Sequence, residues 1–272
     1  IAKEGIFSGL NNLKVNNIFS EKYSEYYGLT ENEVVEAVKY YGLEYKMEDV
    51  REWYNGYQFG ETEIYNPWSI INFLDEKKLR PYWIGVSGNK TIYDLLGKAD
   101  KKVIEDLEKL FVGKTVYKAI NEYMEYVFNA SDIWELFLYS GYLTTDGEKK
   151  GELYPLRLPN KEIQTFFRKT FIDRFVGNYT QFSNIVENLK NGKIEEFAKG
   201  LQDEILSSLS YFDTEKDEKY YKIFLIGIFI ILANDYIRLS ERESGYGRAD
   251  LVLEPKNKIN PAYIFEFKVV NN

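Results

Sequence analysis

Glu266 and Lys268 are separated by one residue in an apolar stretch near the carboxy terminus, and Asp250 lies in an earlier apolar stretch. Residues two apart on a β-strand point to the same face of the sheet, so Glu266 and Lys268 would share a face. Their neighbours Tyr263–Phe265 and Phe267 are apolar, which predicts a strand buried on both faces. A buried carboxylate and a buried ammonium are costly unless they are paired, hydrogen-bonded or bound to a metal.

Two carboxylates on adjacent strands, Asp250 and Glu266, could hold one divalent cation together with the backbone carbonyl of Phe267. Lys268 could then position the attacking water or help to deprotonate it. Such a set would polarise a phosphodiester and stabilise the charge that develops during hydrolysis. The alternative is an ordinary Glu–Lys pair on a half-exposed strand, because the Glu-x-Lys pattern is short and common.

The composition narrows the chemistry that is available to these residues. None of the 272 residues is a cysteine or a histidine, so disulfides, zinc–thiolate sites, cysteine nucleophiles and imidazole bases are excluded. Oxygen ligands remain, and their natural partners are hard cations such as Mg²⁺ or Mn²⁺. The formal net charge of −8 argues against a generally basic surface for nucleic acid, although it does not exclude a local basic patch.

No segment of the chain predicts membrane insertion or export. The most apolar stretch, residues 223–233, is far shorter than the roughly 20 residues that a membrane span needs. This stretch is typical of a helix buried against a sheet. No signal peptide is visible, and we expect a cytoplasmic protein.

The pattern of elements predicts an α+β fold. Thr30 and Glu33 form a capping box that opens a helix in a mostly helical amino-terminal part. A helix over 133–139, a hairpin turning at Asp146-Gly147 and a helix over Lys161–Phe175 follow, an order compatible with a winged-helix module or with a generic α+β connector. Helical spacing over 182–209, a helix over 215–233 and strands over 236–243, 248–254 and 262–270 complete the chain.

The carboxy-terminal motifs resemble a known family. The sequences ERESGYGRADLVL (residues 241–253) and IFEFK (residues 264–268) closely resemble the PD-(D/E)XK nuclease domain that follows AAA-ATPase-like regions in many bacterial proteins. This resemblance implies a restriction-endonuclease-like α/β core with Asp250, Glu266 and Lys268 as catalytic residues. The sequence DEKYY (residues 217–221) is similar to the start of the family's first helix and implies Glu218 as a further catalytic acid. Lys222 stands where the family often has His or Gln.

Earlier motifs extend the resemblance over nearly the whole chain. KEGIFSGLNN (residues 3–12), WYNGY (residues 53–57) and YNPWS (residues 65–69) look like the downstream part of the AAA-ATPase-like region. SGYLT (residues 140–144) and LPNKE (residues 158–162) look like the connector between the two regions. The resemblance implies a helical remnant of the AAA-ATPase-like region over 1–128, a winged-helix-like connector over 129–180 and a nuclease-like domain over 181–272 that is truncated at its carboxy terminus.

We expect no ATP site in this chain. Gly113-Lys114-Thr115 ends like a phosphate-binding loop, but Glu108 stands where that loop needs a glycine. Both ends look like cuts through a longer protein, so ATP would act only through an amino-terminal part that precedes this chain.

The expected function is divalent-metal-dependent hydrolysis of DNA, coupled in the full-length protein to an AAA-type ATPase. Arg242 and Arg248 would contact the phosphates of the substrate. The alternative for these arginines is a surface role beside Glu241 and Glu243. The alternative for the protein is an ATPase-linked regulatory or nucleic-acid-binding protein whose nuclease-like domain is inactive or structural.

Overall fold

The contacts within the chain divide it into two units, Ile1–Phe167 and Arg168–Asn272. The structure, a computed structural model, describes residues 16–83, 101–111, 113–122, 133–211, 218–239 and 251–266. Helices and small antiparallel sheets occur in both units, which confirms the predicted α+β class. The division into parts 1–128, 129–180 and 181–272 stays a prediction.

The first unit combines helices with two small antiparallel sheets. Its described helices are α1 (Glu31–Tyr40), α2 (Met47–Tyr54), α3 (Pro67–Glu76), α4 (Lys101–Phe111), α5 (Ile133–Tyr139) and the start of α6 (Lys161–Phe175). Its described strands are β1 (Tyr57–Phe59), β2 (Thr62–Ile64), β3 (Val116–Ala119), β4 (Thr144–Thr145) and β5 (Leu153–Arg157). Strands β1 and β2 pair with each other, and the other three form a sheet in the order β3-β5-β4.

Side-chain caps fix where the first helices begin. The capping box predicted for α1 is present, because the Glu33 carboxylate accepts a hydrogen bond of 2.8 Å from the Thr30 backbone N–H. Asn66 caps α3 by accepting from the backbone N–H of Trp68 at 2.9 Å, and Pro67 occupies the first helical position. Helix α3 therefore begins at Pro67.

The Asn55-Gly56 turn is held against the chain that enters α6. Asn160 donates from its side-chain amide to the Asn55 carbonyl at 3.0 Å and accepts from the Ile163 backbone N–H at 3.1 Å. Gly56 has a φ of +102°, and a Cβ built there would lie 2.2 Å from the carbonyl oxygen of Pro159. Both the backbone conformation and the available space therefore require glycine at this position.

Gly56→Ala is accordingly expected to lower the free energy of unfolding by about 3 kcal/mol or more, since left-handed strain and a backbone overlap act together. Gly113→Ala is the matched control: Gly113 has a φ of +75° with no neighbouring atom within 4 Å of the added Cβ, so the loss should be about 1 kcal/mol. Urea unfolding of both variants measures the difference. Equal losses would show that the approach of Pro159 contributes nothing.

The middle of the chain contains the predicted helix–hairpin–helix. Helices α5 and α6 have the predicted bounds, and β4 pairs with β5 around the Asp146-Gly147 turn. Strand β3 also pairs with β5, so the sheet has one strand more than the sequence predicted. The winged-helix interpretation of this segment stays a prediction.

The second unit contains helices and one three-stranded antiparallel sheet. Its described elements after α6 are α7 (Tyr179–Lys190), α8 (Ile194–Tyr211), α9 (Glu218–Leu232), β6 (Tyr236–Leu239), β7 (Leu251–Pro255) and β8 (Tyr263–Phe265). The sheet has the order β6-β7-β8. The helical spacing over 182–209 belongs to two helices, because Gly192, with a φ of +72°, separates α7 from α8.

Helix α9 is the apolar helix that the sequence predicts. Phe224, Ile228 and Leu232 are almost or completely buried, and Gly227 allows α9 to approach Phe182 of α7 closely. Within the described residues, no helix has both the length and the apolar character that a membrane crossing requires.

Candidate functional site

The pairing of β7 with β8 brings the beginning of one strand beside the end of the other. Leu253 pairs with Tyr263, Val252 with Ile264, and Leu251 with Phe265. The Leu251–Phe265 pair is the last pair described at this end of the sheet. Glu266 follows Phe265 directly and therefore lies at the end of the sheet where β7 begins.

One face of this sheet packs on α7 and α8. The Tyr263 hydroxyl donates to the Leu189 carbonyl of α7 at 2.8 Å, and the Phe265 ring lies 6.0 Å from the Phe197 ring of α8. Leu253, the partner of Tyr263 on β7, is fully buried. These contacts fix the end of β8 from which Glu266 extends.

The opposite face of the sheet is open within the described residues. Ile264 is 74% exposed, Ile237 is 49% exposed, and Glu254 and Glu266 are also exposed. The prediction that this strand is buried on both faces is therefore wrong. The prediction relied on the apolar character of Ile264. Among the described residues, however, the helices α7 and α8 contact the face that carries Tyr263 and Phe265, not the face that carries Ile264. The argument from the cost of burying a carboxylate does not apply to Glu266, whose carboxylate is instead accessible to a ligand.

The structure describes only part of the predicted site. The structure describes both the backbone and the side chain of Glu266. Glu218 is the first residue of α9, and only its backbone is described. The other predicted site residues lie outside the described residues: Asp250, Phe267, Lys268, Arg242 and Arg248. In the ranges that the structure describes, no three or more acidic residues gather closely enough to hold a metal ion. The assembly of the predicted site therefore stays a prediction.

Glu162 in the first unit is a buried acid that the sequence did not single out. Its side chain is fully buried, and its carboxylate accepts from the Ser69 hydroxyl at 2.7 Å and from the Trp83 backbone N–H at 2.8 Å. Burial raises the pKa of Glu162, and the hydrogen bonds from Ser69 and Trp83 only partly offset this effect. Both hydrogen bonds join segments of the fold, so we assign Glu162 a structural role.

A second charged cluster in the first unit also escaped the sequence reasoning. Asp106 of α4 is buried and accepts from the ammonium groups of Lys109, at 2.7 Å, and Lys118. Burial opposes ionisation of Asp106, but the hydrogen bonds from both lysines outweigh it and lower its pKa. The i, i+3 spacing of Asp106 and Lys109 is visible in the sequence, whereas the contact with Lys118 depends on the fold.

Comparison with known proteins matches the carboxy-terminal residues to a protein family. A protein from Azotobacter chroococcum mcd 1, described as an uncharacterized protein in the vnfD 5' region, is 27% identical over 284 residues. The alignment covers 99% of this chain and 52% of that protein, so the chain spans about half the length of its curated relative. No solved structure matches the chain. Residues 216–272 match the family model of the PD-(D/E)XK nuclease superfamily, and they therefore form a domain of that superfamily.

Proposed function

We propose that the protein hydrolyses phosphodiester bonds of DNA and that Asp250, Glu266 and Lys268 carry the reaction. The observation that supports this most strongly is the nuclease superfamily match over residues 216–272, which includes all three residues. Glu266 is exposed and directly follows the last described pair of β7 and β8, which agrees with a catalytic position.

The register of β7 and β8 supports the meeting of the two acids. Leu251 is paired with Phe265, so one further step in the same antiparallel register would make Asp250 the partner of Glu266. Directly paired residues of antiparallel strands project from the same face of the sheet. Lys268, two residues beyond Glu266, would project from that face as well if β8 continues.

The donor set of this proposed site fits a divalent cation such as Mg²⁺ or Mn²⁺. The carboxylates of Asp250 and Glu266 and the carbonyl of Phe267 would be its ligands, and hard oxygen donors of this kind suit these ions. The cation would supply stabilisation of the negative charge that develops on the phosphate.

The other residues would bind substrate and move protons. Lys268 would orient the attacking water through its ammonium group or, as a neutral amine, accept a proton from that water. Glu218, at the start of α9, would assist through a water molecule or a second ion. Arg242 and Arg248 would contact substrate phosphates, for which the guanidinium group provides paired donors.

The longer relative is consistent with a larger protein architecture. The chain covers about half of the Azotobacter protein, and residues 3–12, 53–57 and 65–69 resemble an AAA-ATPase-like region. We therefore propose that an ATPase part, a winged-helix-like connector over 129–180 and the nuclease-like domain act together in a longer cytoplasmic protein. ATP would bind only to that ATPase part.

Incubation of the chain with DNA and Mg²⁺ or Mn²⁺, beside an Asp250→Ala control, tests the proposal. We expect cleavage that depends on the metal and is lost in the variant. Cleavage that survives the substitution, or that never appears in either the chain or the longer protein, would contradict it. DNA binding without cleavage would favour the alternative of a regulatory or interaction protein.

A further inference from the structure

An open pocket with a volume of about 420 Å³ lies between α4 and β3 in the first unit. Three lysines, Lys102, Lys109 and Lys118, contribute to its wall. Thr115, which directly precedes β3, and Tyr117 of β3 line it as well. The pocket lies in Ile1–Phe167, outside the nuclease superfamily domain of residues 216–272.

The charge of this lysine pocket is positive, in contrast to the net charge of −8 for the whole chain. Among the described residues that line it, Asp106 is the single acid, and its carboxylate is hydrogen-bonded to Lys109 and Lys118. Three ammonium groups against one carboxylate leave a net charge of about +2 in the pocket. Other acids are near in sequence, notably the exposed Glu105 and Glu152, but they do not line the pocket.

The base of the lysine pocket is held in place by the fold. The side chain of Lys118 is 13% exposed, and its ammonium group lies between the Asp106 carboxylate and the Trp134 ring, 4.4 Å from the ring centroid. An ammonium fixed in this way loses little entropy when it binds an anion. Lys102 and Lys109 are exposed at the mouth of the pocket, where they can reach a ligand.

The positive surface continues beyond the pocket. The Lys150 ammonium lies 4.0 Å from the centroid of the Tyr117 ring, and Tyr117 itself lines the pocket. Lys150 belongs to the connection between β4 and β5, so the hairpin extends the row of cations that α4 and β3 begin. A row of lysines suits a ligand with repeated negative charges better than a single small anion.

We propose that the lysine pocket binds a backbone phosphate of nucleic acid and that Lys150 contacts a neighbouring phosphate. This inference rests on the proposed function, which makes DNA the substrate. The lysine pocket would give the first unit its own docking surface for that DNA. Contacts of this kind position a duplex without reading its sequence.

The test is equilibrium binding of a fluorescent DNA duplex, measured by anisotropy in EDTA at several salt concentrations. The double variant Lys102→Gln and Lys109→Gln is compared with a control pair of exposed lysines, Lys39→Gln and Lys78→Gln, which changes the net charge equally. We expect the lysine-pocket variant to weaken binding at least tenfold at 0.1 M salt and to reduce the slope of log K against log salt by about two. The control pair should stay within about twofold of the wild type.

Three outcomes would overturn the proposal: equal losses in both pairs, unchanged binding in the lysine-pocket variant, or competition by polyglutamate as effective as competition by unlabelled DNA. Thermal unfolding shows whether a variant folds. If the loss of the Lys109–Asp106 contact lowers stability, DNA binding by the single variant Lys102→Gln is measured instead.

Asp250→Ala separates this proposal from the nuclease proposal. Normal binding without cleavage by both the wild-type chain and the longer protein would contradict only the nuclease proposal. Cleavage with unchanged binding by the lysine-pocket variant would contradict only the docking surface.

Discussion

Glu266→Gln is expected to lower the rate of metal-dependent DNA cleavage by on the order of 10³-fold, because removal of a ligand charge weakens an interaction worth several kcal/mol in the transition state. Glutamine has nearly the same shape as glutamate, and Glu266 is exposed, so folding should be unaffected. Single-turnover cleavage at saturating Mn²⁺ measures the effect on the chemical step. The affinity for Mn²⁺ in the absence of DNA measures the effect on metal binding. We expect both to fall in this variant.

Glu254→Gln is the matched control for this experiment. Glu254 lies on β7 and is exposed, as Glu266 is, and the alternation of the strands places both on the open face of the sheet. Its loss removes the same charge from the same face, and cleavage should stay within about twofold of the wild type. The assignment of Glu266 fails if the two variants behave alike, or if Glu266→Gln cleaves normally at low Mn²⁺ concentration.

Local signals in the sequence were sufficient for several elements of the fold. The bounds of α5 and α6 and the capping box of α1 were all predicted, because caps and turns act over three or four residues. Asn160 shows the limit of such signals. Its side chain accepts from the Ile163 backbone N–H at the start of α6, a local contact, but its amide also donates to the Asn55 carbonyl, which lies 105 residues earlier.

Properties that depend on tertiary packing were not predictable in the same way. Ile264 was expected to be buried, since apolar residues surround it in sequence, yet only the neighbouring pair Tyr263 and Phe265 meets helices. The Asp106–Lys118 contact joins residues of a helix and a strand, and no spacing rule indicates it. Sequence reasoning identifies which residues could react, whereas their exposure depends on which elements cover them.

The candidate nuclease site shows how motif and register support each other. The sequence proposed Asp250 and Glu266 as a pair although 15 residues separate them. The pairing of Leu251 with Phe265 was not predictable from the motif, because the register depends on the connection between β7 and β8. In the proposed site, one further step in this register would pair Asp250 with Glu266, which is the arrangement that a shared cation requires.

Glu162→Ala is expected to lower the free energy of unfolding by about 3–5 kcal/mol. The change leaves a cavity and removes the acceptor for the buried Ser69 hydroxyl and for the partly buried Trp83 backbone N–H. Glu162→Gln should be far milder, because its carbonyl can still accept from Trp83 and its amide can donate to the Ser69 oxygen. Urea unfolding at pH 7 of both variants gives the comparison.

The pH dependence provides a separate test, because burial raises the pKa of Glu162 in the folded chain. A carboxyl whose pKa is higher in the folded state contributes stability that is fully present below its unfolded pKa of about 4.3 and is lost as the pH rises through the folded value. Glutamine does not titrate, so the stability of the wild type relative to Glu162→Gln should decrease as the pH rises from 4.5 to 8. If the difference in free energy of unfolding between the wild type and Glu162→Gln stays constant over this range, Glu162 is ionised in its buried position at no cost. If Glu162→Ala and Glu162→Gln lose equal stability at pH 7, the shape of the side chain contributes nothing.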